Sequence, residues 1–355
     1  MDREEDRSTP TPSPEPAEGL PPTGIDPTGH APSAPVGAAA PAPRRRGPRP
    51  VPPGVEYHRV LADDRRRIWR GIAALVLLFG GMLAFSFGFT ILGSLVDMAL
   101  GRPSVLLGGD EFTPATQASA LIGLALLVPW SMLIQRWLYG VKGASLHSVL
   151  SVFRPAVFGR AFLVILPIWA VYMTVFSMFT PMPEGVWRPS DLVLMFGIVL
   201  LLTPLQSAGE EYGFRGLAFR VAASWGKGPR AALLLGVAVS GLLFMLAHFA
   251  LDPWLNLYYL TFGVTLALIT WRTGGLEVAV VVHAVNNTIA FLLTLVTRSD
   301  LVEGMDRSVG AGSAIMLVPC VLLILITIVV WARTRETGPA LTPSERETHE
   351  APRER

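Results

Sequence analysis

Glu210 and Glu211, followed four residues later by Arg215, stand directly after an apolar run in the segment GEEYGFRG. His248 closes a second apolar run, LLFMLAHF. His283, with Asn286 and Asn287, lies inside a third, VVVHAVNNT. Carboxylates and imidazoles move protons, and carboxamides meet developing negative charge. Ionisable side chains at membrane depth are costly and mark pathways or reactive sites. Spread over three hydrophobic segments, this set points to an enzyme built within a membrane.

Spacing sharpens the reading. Glu211 and Arg215 share a helix face and can pair, which matters where an unpaired charge is strongly disfavoured. Glu210 points about 100° away around the helix, so it is not committed to that arginine. It is free to act as a base or a metal ligand. Phe244 and His248 are four apart, as are His283 and Asn287, so each segment presents a paired edge to a bundle interior. Each group also has an ordinary alternative. Glu210, Glu211 and Arg215 suit the cytoplasmic end of a span, and His248 near Phe249 and Trp254 suits an interfacial aromatic belt. Asn286 and Asn287 suit helix packing. His283 among valines needs a partner under either reading.

The elements that must position these residues are hydrophobic helices. Of 355 residues, 51% are hydrophobic and 16% charged. That charge content is low against roughly 25% for soluble domains, and mean hydropathy is +0.47. Apolar runs long enough to cross the bilayer fall at about 71–96, 116–138, 156–180, 190–209, 231–251, 255–271, 276–297 and 312–332. The expected fold is therefore all-α, a polytopic membrane bundle of about eight transmembrane helices. Residues 1–55, rich in Pro, Ala, Gly and Thr, read as a disordered cytoplasmic tail without a cleavable signal. Residues 56–333 read as the membrane domain and 334–355 as a second polar tail. Arginines before the first span, then Arg136, Lys142, Arg154, Arg160, Arg215, Arg220, Lys227, Arg230, Arg272, Arg333 and Arg335, alternate onto one side. The other side holds Arg102, Arg188, Arg298 and Arg307. Both termini are then cytoplasmic. The single cysteine, Cys320, excludes intrachain disulfides, and the net charge of +2 argues against a nucleic-acid partner.

GEEYGFRGLAF, LLFMLAHF and VVVHAVNNTIA, in that order on separate apolar segments, resemble the three motifs of the CPBP (CAAX protease and bacteriocin-processing, or Abi) family of intramembrane proteases. The resemblance covers roughly residues 190–300. It implies a multi-pass protein of the bacterial cell membrane that hydrolyses membrane-associated or lipidated peptides at or near the cytoplasmic side. Glu210 would activate a water, with His248 sharing the site. His283 and Asn287 would stabilise the oxyanion, and Glu211, Arg215 and Phe244 would brace it. The metalloprotease label given to the family would make Glu210, His248 and His283 a three-ligand Zn2+ set. No HExxH motif is present, and a metal-free, glutamate-activated water is equally consistent with these residues. Alternatives from other classes are a non-proteolytic scaffold or bacteriocin-immunity protein and a transporter. Against the last, the polar residues cluster in one half with no matching repeat.

One geometric conflict follows from straight spans. Glu210 would sit near the cytoplasmic end of the fourth span and His248 near the opposite end of the fifth. Either the fourth helix breaks near Pro204 and Gly209 and sits deeper, or the fifth begins later than residue 231.

Overall fold

The computed structural model describes residues 47–63, 67–109 and 112–344. Among these residues eight helices are long and apolar enough to cross a membrane: α1 (Ile68–Ala99), α2 (Pro114–Tyr139), α3 (Pro155–Phe179), α4 (Pro189–Ala223), α5 (Gly228–Ala247), α6 (Pro253–Thr273), α7 (Glu277–Val296) and α8 (Ala314–Arg333). No β-strand occurs among the described residues, only isolated backbone bridges. This is the expected all-helical membrane bundle.

Local chemistry sets the ends. Proline stands at the first or second helical position of α2, α3, α4, α5 and α6, where its missing N–H costs nothing. Thr113 caps α2 by accepting from the Thr116 N–H at 3.1 Å. Asp252 caps α6 by accepting from Trp254 and Leu255 at 2.8 and 3.0 Å. Gly140 and Gly274 close α2 and α6 in the left-handed conformation, with φ of 69° and 66°.

α7 packs between α4 and α3, α2 backs α4, α1 lies on α2, α5 pairs with α6, and α6 meets α8. The best-covered spans are α6 and α7, while α3 and α8 keep long apolar faces such as Leu163, Val164, Ile324 and Ile328 exposed for lipid. At Gly209 a Cβ would collide with the carbonyl of Leu124 in α2. Only glycine lets α4 approach α2 this closely, one residue before Glu210.

The conflict over depth is resolved by α4. It continues past the expected end at 209 to Ala223, changing to π-helix over Tyr212–Ala218 without a break at Pro204 or Gly209. Glu210 and Glu211 therefore lie inside the span rather than at its end. The fifth span begins at Gly228, earlier than 231, so a late start is not the explanation. Arg215 and Arg220, expected in a cytoplasmic loop, are fully buried in this extension. Arg220 donates to the Ser145 carbonyl at 2.7 Å and Ser145 Oγ at 3.0 Å, and its guanidinium lies 3.9 Å over the Tyr57 ring. Both charges stay inside because partners on other elements satisfy them.

The segments read as tails contribute more than expected. Arg49 donates to the Tyr139 carbonyl, and Val55 N–H to Thr342 Oγ1 at 2.9 Å. Thr342 N–H donates to the Val55 carbonyl at 2.8 Å, and Ala340 N–H to that of Arg272. The packed body thus begins before residue 55 and extends past 334. Residues 1–46 and 345–355, with His30 and His349, lie outside the described residues. His58, in the stretch that precedes α1, is fully buried against Phe219.

Two outcomes follow. Deleting residues 1–46 should leave thermal stability in detergent near that of the full chain. Extending the deletion to residue 55 removes Arg49 and the Val55–Thr342 bonds and should cost about 1–3 kcal/mol. Gly209→Ala should lower the melting temperature by several degrees or prevent accumulation, because backbone, not a flexible side chain, occupies the space its Cβ needs. Unfolding curves of purified variants check both.

Candidate active site

Glu211 is fully buried at the centre of the site. Its Oε1 accepts from Arg215 Nη1 at 2.9 Å and lies 2.7 Å from His283 Nδ1. The first pair is the expected helical neighbour. The second crosses from α4 to α7 and is absent from the sequence reading. A carboxylate only accepts, so the His283 proton sits on Nδ1, and Nε2 is the atom turned away from Glu211.

Arg215 has the other role expected of a brace. Its Nη2 donates to the Phe262 carbonyl in α6 at 3.3 Å, and its guanidinium lies 3.8 Å over the Phe244 ring in α5. Phe244 also lies 4.6 Å from the His248 ring and 5.9 Å from that of His283. One phenylalanine thus covers a buried cation on one side and separates two imidazoles on the other. In the π-helical stretch the Phe214 carbonyl accepts from the Phe219 N–H and, across the helix interface, from Ser240 Oγ at 2.9 Å.

Glu210 points elsewhere, as its spacing required. Oε1 accepts from the Gln206 carboxamide one turn earlier. Oε2 has no hydrogen-bond partner in the protein and faces His283 Nε2 at 3.7 Å. With Nδ1 holding the proton of a neutral ring, both facing atoms are acceptors, so one water can give a hydrogen to each while its lone pairs point outward.

His248 ends α5. Its Nδ1–H donates to the Phe244 carbonyl at 2.8 Å, leaving Nε2 as the available nitrogen, and its ring stacks on Tyr259 at 3.8 Å. Asn287 donates to Gln206 Oε1 at 3.4 Å and accepts from Asn286 at 3.1 Å. Asn286 is anchored by Trp169 Nε1 in α3 at 3.1 Å. A cavity of about 810 Å³ is lined by His248, His283 and Asn287 together with Phe244, Tyr259 and Phe262.

All seven sequence candidates (Glu210, Glu211, Arg215, Phe244, His248, His283 and Asn287) therefore gather on α4, α5 and α7. Sequence reasoning missed Gln206, Tyr259, Phe262 and Trp169. Gln206 had a signal, its spacing of four from Glu210. The others are ordinary apolar-helix aromatics, unmarked until α3 and α6 are placed.

The three-ligand Zn2+ reading does not fit. Among the described residues no three His, Cys, Asp or Glu side chains form a group able to hold a metal ion. His283 and His248 each use Nδ1 in a hydrogen bond and keep Nε2 free, as a metal-binding imidazole would; what the site lacks is a gathering of those nitrogens with Glu210 into one three-ligand group.

Residues 189–289, from the start of α4 into α7, match the family described as type II CAAX prenyl endopeptidase Rce1-like. The resemblance carried by the three motifs stands. The matched stretch contains every candidate residue, so the similarity to that family falls on the region that carries the site. The chain is also 33% identical over 125 residues to "Uncharacterized protein YyaK" of Bacillus subtilis (strain 168), an alignment covering 33% of this chain and 40% of that protein. The chain thus spans about two fifths of that relative's length. No solved structure matches.

The two glutamates should respond differently to loss of charge. Glu211→Gln leaves Arg215 buried without its carboxylate and His283 without its acceptor, and should cost about 3–5 kcal/mol of stability. Glu210→Gln keeps a polar partner for Gln206 and should stay within about 1 kcal/mol of the parent. Melting curves of the two purified variants read the difference.

Proposed function

We propose that this chain is an intramembrane endopeptidase that cleaves membrane-associated or lipidated peptides with a water activated by Glu210. The observation that carries the reading is the Glu210 Oε2 atom, without a protein partner and 3.7 Å from His283 Nε2. Glu210 Oε2 accepts a proton as the water oxygen attacks the scissile carbonyl carbon. The same proton then passes to the departing amine nitrogen as the C–N bond breaks. The carbonyl oxygen, negative in the intermediate, meets the second N–H of the Asn287 carboxamide, while Nε2 of the neutral His283 ring accepts from the remaining O–H of the attacking water and orients it. Glu211 and Arg215 act through His283 by fixing its ring, and are positioning residues. His248 presents Nε2 from the opposite wall and orients the water or the leaving group.

The cavity supports this reading because its size suits a short peptide segment and its walls join apolar rings to a few convergent polar groups. No step passes through a metal. The helical bundle makes the protein an integral multi-pass membrane protein, and a bacterial cell membrane is the proposed setting.

Glu210→Gln should lower kcat by about 10³-fold or more with the fold intact, and Asn287→Ala by about 10²–10³ with a smaller change in KM. Cleavage of a reporter peptide by purified, folded variants is the measurement. Full turnover by Glu210→Gln would remove Glu210 as the base. Normal partner binding without any cleavage by the parent chain would favour the scaffold alternative.

A further inference from the structure

The cavity has a direction. Because the helices alternate, the connections sort onto two ends of the bundle, and hydrogen bonds knit each end together. At one end, Gly185 N–H donates to the Arg298 carbonyl and Asp300 N–H to that of Pro183, both at 2.8 Å. Leu251 N–H reaches the Arg307 carbonyl at 2.8 Å, and Asp252 Oδ2 accepts from Gly310 N–H at 3.0 Å. Arg102 and Asp191 pair at 2.9 Å on the same end. At the other end Arg154 holds Glu277 through two bonds of 2.6 and 2.9 Å, Arg49 reaches Tyr139, and Arg272 reaches Thr334.

The cavity runs from His283 and Asn287 to the first of these ends only. Its outer lining is Thr180–Glu184, Glu303–Arg307 and Ser313, and no residue of the connections 140–154, 224–227 or 274–276 contributes. The charges divide in the same way. Among the described connections of the mouth end the basic residues are Arg102, Arg188, Arg298 and Arg307, against Glu184, Asp252, Asp300, Glu303 and Asp306, with Asp191 in the adjoining first turn of α4. The closed end carries Arg49, Arg59, Arg67, Lys142, Arg154, Lys227 and Arg335 among its basic residues. Arginine and lysine near span ends accumulate on the cytoplasmic side.

We infer that the mouth of the cavity faces away from the cytoplasm. Resting on the endopeptidase reading, this makes the substrates exterior segments of secreted or membrane-anchored peptides rather than cytoplasmic lipidated tails. The expectation of cleavage near the cytoplasmic side came with the family resemblance, and the direction of the cavity departs from it.

The test has two arms. In the full chain carrying Cys320→Ala, which removes the single cysteine, Val309→Cys places a thiol on the mouth end and Lys142→Cys one on the closed end. A membrane-impermeant maleimide on intact cells should label Val309→Cys at once, and Lys142→Cys only after permeabilisation. The reverse pattern overturns the inference. In the second arm, an impermeant mixture of quenched fluorescent decapeptides is offered to sealed right-side-out and inverted vesicles of the otherwise unaltered chain. Cleavage should occur in right-side-out vesicles alone and be lost in Glu210→Gln. Cleavage confined to inverted vesicles overturns the inference while keeping the endopeptidase reading. No Glu210-dependent cleavage in either, with Val309→Cys labelled from outside, overturns the substrate class through failure of the endopeptidase reading and upholds the direction of the mouth.

Discussion

The carboxylate of Glu211, buried at membrane depth, must be shared by two groups that would otherwise be stranded there. It accepts from Arg215 on its own helix and from His283 on α7, so one anion fixes a guanidinium and an imidazole at once. In a medium without water such a charge is tolerated only when paired and hydrogen-bonded, and the pairing constrains everything near it. α4 and α7 are held in register by it. The His283 tautomer is set by it, and with that the identity of the nitrogen presented to Glu210. Phe244 and the Phe262 carbonyl complete the enclosure of Arg215, drawing α5 and α6 into the same arrangement.

Placement of that carboxylate depends on two departures from a plain apolar helix. Gly209 lets α4 lie against the backbone of α2, and the π-helical stretch Tyr212–Ala218 carries the span on for another dozen residues. Within it the Phe214 carbonyl takes two donors, the Phe219 N–H of its own helix and Ser240 Oγ of α5. Such stretches are frequent at functional sites because they turn side chains to positions a regular helix does not reach. Here the stretch begins directly after Glu211 and contains Arg215.

The same economy operates at the closed end. Arg154 and Glu277 tie the start of α3 to the start of α7, while Arg220 fastens Ser145 and Tyr57 around the end of α4. The helices that carry the site are thus clamped at the end away from the cavity. The mouth end is joined mainly by backbone hydrogen bonds between connections, together with the Arg102–Asp191 ion pair.

The hydrophobic runs alone determined that the chain is a bundle of eight apolar helices, because length and hydropathy suffice to specify a span in a solvent that forbids unsatisfied backbone. Helical spacing of four determined the Glu211–Arg215 pair and separated Glu210 from it, because neighbours on one helix are fixed by local geometry. Three motifs in order determined the family resemblance and the residues to watch. Only tertiary structure decided that Glu211 is also the partner of His283, that Phe244 covers Arg215, and that His248 and His283 do not complete a metal set. Each of those facts relates side chains on different helices, whose relative rotation and depth are not written in either helix alone. The end of α4 is the clearest case. Arg215 and Arg220 read as loop charges by hydropathy, since a buried arginine and an exposed one are the same letter. The difference lies in the Glu211, Ser145 and Tyr57 groups that other parts of the fold bring to meet them.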